Sequence, residues 1–319
     1  MNKNKKQEIF NSTFLKKSKK AELTTQQIVI LIVLIMSFVV ILYFLFRLNL
    51  GESSEKEICY NSVVMKGNPV LSKGDVSLNC QRTYVCLSKD GSCESMTNPN
   101  IKKVGENPNE TYRILADEMA DCWWMFGEGK IDYIKDKPLE RNYCSICTQL
   151  AFDESMKEIE EFNSGKIDKD KFYDYLAETQ MSEGGETYAE YFLGTNNLLD
   201  FKQESFSETG ARTFGEINLD SQYFVMMGIV SEIGTFYKVV GAVAIAAGIG
   251  LGAPIIAVAV IGAGTYTYGG EVFELLEPEI QAIIVEGDGV DNAFMTPSII
   301  EANSARFDEL NCKDVMSTA

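Results

Sequence analysis

The 319-residue chain contains no histidine. Ser-His-Asp triads, Cys-His pairs, HExxH zinc sites and two-Cys, two-His fingers all need imidazole as base or ligand, so all four are excluded. Acid/base chemistry is left to Asp, Glu, Lys and Tyr, and among 46 carboxylates no motif singles out a pair for glycoside hydrolysis. Basic residues are the minority, 29 against 46 acids for a formal net charge of −17. Such a surface repels phosphate backbones, so nucleic acid is not an expected partner. Tryptophan is confined to Trp123 and Trp124. As neighbours they cannot share a helix face, which leaves one near the rim of the core, in reach of a ligand or membrane surface. Internal repeats, long linkers and low-complexity tracts are also missing, and the 45% hydrophobic content supports a folded chain of one or two domains.

Two short motifs fail on inspection. Gly127-Glu-Gly-Lys130 lacks the rest of a GxxxxGK[ST] phosphate loop. Asp168-Lys-Asp170 continues with Phe172 and Tyr173 where a calcium loop needs an acidic or amide side chain and then Gly, and reads instead as a helix N-cap. No cofactor is expected.

What the chain does have begins with Ile28–Phe46, 19 residues without a charge. As a helix this run covers most of a hydrocarbon core of about 30 Å and is expected to be a transmembrane helix in contact with lipid. It is longer than a signal-peptide core and is followed by Arg47-Leu48-Asn49-Leu50 rather than a small-residue cleavage site. Residues 1–27 carry seven Lys against Glu8 and Glu22, which places this tail in the cytoplasm and the bulk of the chain outside. Lys20-Ala21-Glu22-Leu23 resembles an archaeal prepilin-type signal, which implies a pilin-like fibre subunit; a plain juxtamembrane stretch is the alternative.

Beyond this run the chain has eight cysteines: Cys59, Cys80, Cys86, Cys93, Cys122, Cys144, Cys147 and Cys312. On the oxidising side of a membrane an even set predicts structural disulfides. Zinc held by four thiolates and a redox pair at Cys144-Ser-Ile-Cys147 are the sharper alternatives. Parity bears on topology, because seven of the eight precede residue 148 and the last needs Cys312 on the same side.

The remaining layout is read as a β-rich Cys module over residues 47–105, with strands at "EICYNSVVM", "VSLNC" and "RTYVCLS" and a turn at Lys89-Asp90-Gly91. A mainly helical α+β domain is expected over 106–236: a helix from Asn109 to Gly127, helical pieces at "ESMKEIEEF", "DKFYDYLAET" and "TYAEYFL", and a strand in "GEINLDSQYFVMMGIV". The sequence "TQLAFDE" reads as strand running into turn. Asn109-Glu-Thr111 is a candidate glycan acceptor. Residues 237–268 are apolar and Gly-rich, and Gly248, Gly250, Gly252 and Pro254 interrupt a helix in their midst. A helical hairpin or a second membrane segment is predicted, with Gly248 and Gly252 as close helix contacts within the chain or between copies. An acidic C-terminal segment, 269–319, completes the chain.

The run "ILADEMADCWWMFGEGKIDY", the "YCSIC" pair, the Gly-rich segment and the late "LNC" together resemble a group of membrane-anchored extracytoplasmic proteins of small-genome archaea with no established activity. The resemblance implies source and layout. The expected fold is therefore α+β: a membrane helix, a disulfide-rich extracytoplasmic domain and an apolar hairpin. The expected role is structural or protein-interacting at the cell surface, with other proteins or copies of itself as partners. A membrane-inserted oligomer or pore, thiol-disulfide exchange and carboxylate-based hydrolysis are the alternatives.

Overall fold

The computed structural model describes residues 25–47, 50–68, 70, 77–134, 142–195, 197–198, 201–203, 206, 213–230, 255–261, 265–268, 271–274, 279–290, 292–310 and 312–313. Contacts divide the chain into two units, Met1–Gly51 and Glu52–Ala319. The first unit contains helix α1, Thr25–Arg47, which carries the apolar run. Its large apolar side chains from Ile28 to Ile41, together with Tyr43, are exposed on every side, and Ser37 returns its hydroxyl proton to Leu34 O at 2.8 Å. The described side chains of α1 cover residues 27–43, and among the described residues no helix is long and apolar enough to cross a membrane.

The second unit is α+β and is built on an eight-stranded mixed sheet. Its strands are β1 (Thr83–Ser88), β2 (Asn100–Lys103), β3 (Asn142–Phe152), β6 (Tyr223–Val230), β7 (Ile255–Ile261), β10 (Glu279–Glu286), β11 (Ala293–Glu301) and β12 (Cys312–Lys313). Their order is β2-β1-β3-β6-β11-β10-β7, and β12 lies beside β3. The β2/β1, β1/β3 and β12/β3 pairs are parallel; the rest are antiparallel. Small two-stranded ribbons join β4 (Lys166–Asp168) to β5 (Glu216–Asn218), and β8 (Thr265–Tyr268) to β9 (Glu271–Glu274).

Helix α3, Pro108–Met125, crosses one face of the sheet. Asn107 caps it, accepting the Asn109 backbone N–H, and Pro108 starts it where a missing N–H costs nothing. Thr111, Leu115, Glu118 and Cys122 are buried at successive turns, the helical period that puts one stripe against a sheet. Helices α4 (Lys169–Glu178) and α5 (Tyr188–Leu193) pack beside it, each with the side-chain cap its sequence offers, Asp168 and Thr187. The opposite face buries Ile146, Met226, Ile284 and Met295, with Phe307 of the short helix α6 (Ala305–Glu309) packed against them.

Several expectations change. "EICYNSVVM" is not a strand: it lies in helix α2, Leu50–Gly67, because Cys59 and Val63, one turn apart, are both buried while Ile58 and Met65 are exposed. Strands β1 and β2 join the same sheet as β3, so the cysteine-rich region is continuous with the rest of the α+β unit. "ESMKEIEEF" forms two 3₁₀ turns, Glu154–Glu158 and Glu160–Phe162. The strand read across 215–230 is two, β5 and β6, separated by a turn.

Of the expected apolar hairpin or membrane segment, 237–268, residues 237–254 and 262–264 lie outside the described residues. Its described residues are extended, not helical: Ile255–Ile261 pairs antiparallel with β10, from Val285↔Ile255 to Glu279↔Ile261, and Thr265–Tyr268 is the first strand of a ribbon. A continuous apolar run fits a buried strand as well as a helix, and the partner strand "EIQAIIVE", 18 residues further on at its start, decides between them. The helix-contact candidates Gly248 and Gly252 lie outside the described residues.

Candidate functional site

All eight cysteines are bonded, as Cys59–Cys80, Cys86–Cys93, Cys122–Cys147 and Cys144–Cys312. The CxxC pair is therefore not a dithiol. Both members sit in β3, where alternate side chains face opposite ways; Cys147 meets α3 on the helical face and Cys144 meets Cys312 on the other. A bulge between Ile146 and Thr148 then keeps Thr148 on the helical face, where its hydroxyl donates to the buried Glu118 at 2.8 Å. Each sulfur is bonded to another cysteine in this arrangement.

Of the other sequence candidates, Asn109 is exposed on the first turn of α3, but Thr111 of the same sequon is fully buried and its hydroxyl has no partner among the described residues. Trp123 is buried edge-on against Phe294, whereas Trp124 is half-buried and stacks on Tyr60 at 4.6 Å, the division their adjacency requires. Asp168 is an N-cap, as expected, and Asp170 accepts from the Thr213 hydroxyl and the Phe214 N–H.

The topology itself marks a site. After β1 the chain continues to β2 on one side; after β3 it continues to β6 on the other. The carboxyl ends of two adjacent parallel strands whose connections diverge enclose a crevice, the place where open α/β sheets bind ligands. A cavity of about 820 Å³ lies there, walled by the loop after β1, the 3₁₀ turn after β3 and the turn before β6. That volume is within the usual range for small-molecule sites.

Its floor is a serine-carboxylate network between segments about 65 residues apart. The Ser155 hydroxyl donates to Asp153 Oδ1 at 2.6 Å and accepts the Lys89 backbone N–H at 3.1 Å. Ser88, the last residue of β1, accepts the Gly91 N–H at 2.9 Å and donates to Asp90 Oδ1 at 3.0 Å. The same oxygen accepts the Ser92 N–H at 2.8 Å and the Ser92 hydroxyl at 2.7 Å. These donors, the Ser92 amide first, hold the Asp90 carboxyl at about 2, so it stays ionised at neutral pH. On the far wall Gln149 donates to Gln222 at 2.6 Å, and Gln222 donates to Ser95 O at 2.7 Å.

The lining lysine, Lys157, and Lys89 next to the lining residue Asp90 are both paired. Lys89 reaches Glu106 at 2.7 Å and Glu158 at 3.1 Å; Lys157 reaches Asp220 at 2.7 Å and Glu154 at 3.2 Å. What remains facing the crevice is rich in acceptors. Ser155 donates its hydroxyl proton to the Asp153 carboxylate, within this network. Among the described residues no three metal-ligating side chains converge.

Sequence reasoning found the turn at Lys89-Asp90-Gly91 and the strand-to-turn passage after β3, but not that the two meet. The parallel pairing Thr83↔Thr148 to Leu87↔Phe152 joins them, and no local pattern encodes it. Fold and crevice thus define a disulfide-linked α+β domain with a mixed sheet and an acidic switch-point cleft. No protein-family model, curated protein or solved structure matches the chain.

Proposed function

We propose that the chain is a membrane-anchored cell-surface protein whose extracytoplasmic α+β domain has an interaction role and receives its partner in the switch-point crevice. The observation that carries this reading is the complete pairing of the cysteines, with Cys312 bonded to Cys144. Four disulfides persist on the oxidising side of a membrane, and this pairing supports a C-terminus on the same side as the other cysteines. The charge-free run Ile28–Phe46 supports the anchor: 19 residues carried on α1, whose large apolar side chains from Ile28 to Ile41 are exposed. Lipid is then the partner of α1, and the Lys-rich tail lies in the cytoplasm. The resemblance to archaeal surface proteins agrees with that layout.

The test is to reduce intact cells, label with a membrane-impermeant maleimide and map the modified peptides. Modification of Cys312 together with the other seven is expected. Modification of Cys312 only after lysis overturns the topology.

A further inference from the structure

At the other end of the sheet, beyond the start of β3, a second cavity of about 540 Å³ lies between the C-terminus of α3, helix α5 and the β10–β11 turn. It is distinct from the switch-point crevice and shares no residue with it. Its inner wall is apolar, formed by Trp123 and Phe192 together with Val285, each almost fully buried. Its mouth is acidic: Glu128, Glu186, Glu190, Glu286 and Asp288 line it against one cation, Lys130.

Three consecutive residues, Gly127, Glu128 and Gly129, adopt left-handed backbone with φ of 84°, 55° and 72°. Glycine takes that conformation freely; glutamate does so at a cost of about 1–2 kcal/mol. The run carries the Gly127-Glu-Gly-Lys130 sequence and turns the Glu128 carboxylate back over the cavity, where Tyr191 donates to it at 2.8 Å. The turn is tied to the opposite wall by the Asp288 N–H, which donates to Gly129 O at 3.1 Å. Lys130 sits at the mouth with its ammonium 2.8 Å from Glu128. Its pKa is raised, first by the hydrogen bond to Glu128 and then, against burial, by the charges of Glu128, Asp288 and Glu186. Carboxylates from separate chain segments thus line one cavity mouth, where the chain's own exposed Lys130 pairs with Glu128. The C-terminal end of α3 adds a negative dipole there.

We infer that this cavity is a binding site for a primary ammonium or guanidinium group with an apolar stem, and that Lys130 is the resident cation such a ligand displaces. The stem lies along the apolar wall and the charge takes the place of the Lys130 ammonium beside Glu128, with Asp288 lining the same mouth. The cavity and its lining alone carry this assignment, which holds independently of the membrane topology proposed above.

Trp123 makes the test direct, since the only other tryptophan, Trp124, stacks on Tyr60 away from the cavity lining. The full chain in detergent is titrated with agmatine, with acetyl-arginine amide and, as an anion control, with acetate, while tryptophan emission is followed in wild type and in Trp124→Phe. A saturable change with either cationic probe and none with acetate is expected. Preference for agmatine points to a free polyamine-like ligand, and equal response to the amide points to an arginine presented by a peptide; both support the site. Glu128→Gln combined with Asp288→Asn weakens binding by about tenfold or more, as loss of two close charges predicts. Lys130→Met strengthens it several-fold, a gain that a misfolded variant cannot produce. The inference is overturned by no saturable response in wild type and Lys130→Met, or by affinities that are the same across the four forms.

Discussion

Cys144 and Cys147 stand three positions apart in one strand, yet their bonded partners lie on opposite faces of the sheet, Cys312 on one and Cys122 on the other. Strand β3 is thereby fastened on both sides. The two bridges differ in what they close: a sequence separation of 168 for Cys144–Cys312 and 25 for Cys122–Cys147, against 7 for Cys86–Cys93. Loop-closure entropy then orders their contributions at about 5, 3.5 and 2.5 kcal/mol. Paired Cys→Ser replacement, one bridge at a time, followed by guanidinium denaturation without reductant, should reproduce that order. Equal losses would contradict the pairing.

Lys169, at the start of α4, is buried, and its ammonium donates to Ile299 O at 2.9 Å. Burial, aided by Arg306, pushes its pKa down to about 8. Between that value and 10.5 the unfolded chain holds a proton the folded one does not, so stability rises with pH in this window. Relative to Lys169→Met, wild type should gain about 2 kcal/mol between pH 7 and 9.5. Buried tyrosines such as Tyr133 and Tyr173, raised by desolvation, act in the opposite sense above about pH 10, which sets the upper limit. Denaturation midpoints of both proteins at pH 7, 8, 9 and 9.5 check the slope.

In the crevice, Ser155→Ala removes the acceptor of the Lys89 N–H and the donor to Asp153 together. A cost of about 1–3 kcal/mol is expected, because Ser155 and Asp153 are buried and their partners are left unmatched. Ser92→Ala acts differently. It removes one of the donors that depress Asp90, so the Asp90 carboxyl titration, followed by NMR, should move up from about 2 toward the ordinary range while the fold is kept.

Gly127→Ala should destabilise the domain by about 1–2 kcal/mol or more, since a left-handed residue acquires a Cβ that also meets the Ile131 side chain at 2.6 Å. Glu128→Gly removes strain at the next position but takes the carboxylate from the second cavity. Thermal unfolding of the two variants should differ in sign or clearly in size, while only the second directly weakens the response to agmatine.

Where the chain speaks through neighbouring residues, the sequence is readable. The α3 stripe, the Asp168 cap of α4, the Thr187-Glu190 capping box of α5 and the turn after β1 all arise from spacings of a few positions. Helix α2 is misread because Ile58, Val63 and Val64 favour strands, and only tertiary burial of Cys59 and Val63 selects the helix. Ile255–Ile261 fails for the converse reason: an unbroken apolar run has no period of its own, and β10 supplies the decision. Both cavities are assembled from segments distant in sequence, so their residues carry no motif.

The Cys144–Cys312 bridge also orders events in time. In a chain synthesised from its N-terminus, Cys122, Cys144 and Cys147 are present long before Cys312, and neighbouring thiols oxidise readily with one another. The native pattern requires Cys144 to wait while its near neighbour pairs elsewhere. Under the topology proposed above, folding therefore calls for an oxidant slow enough, or an isomerase active enough, to keep that one sulfur available until Cys312 has followed.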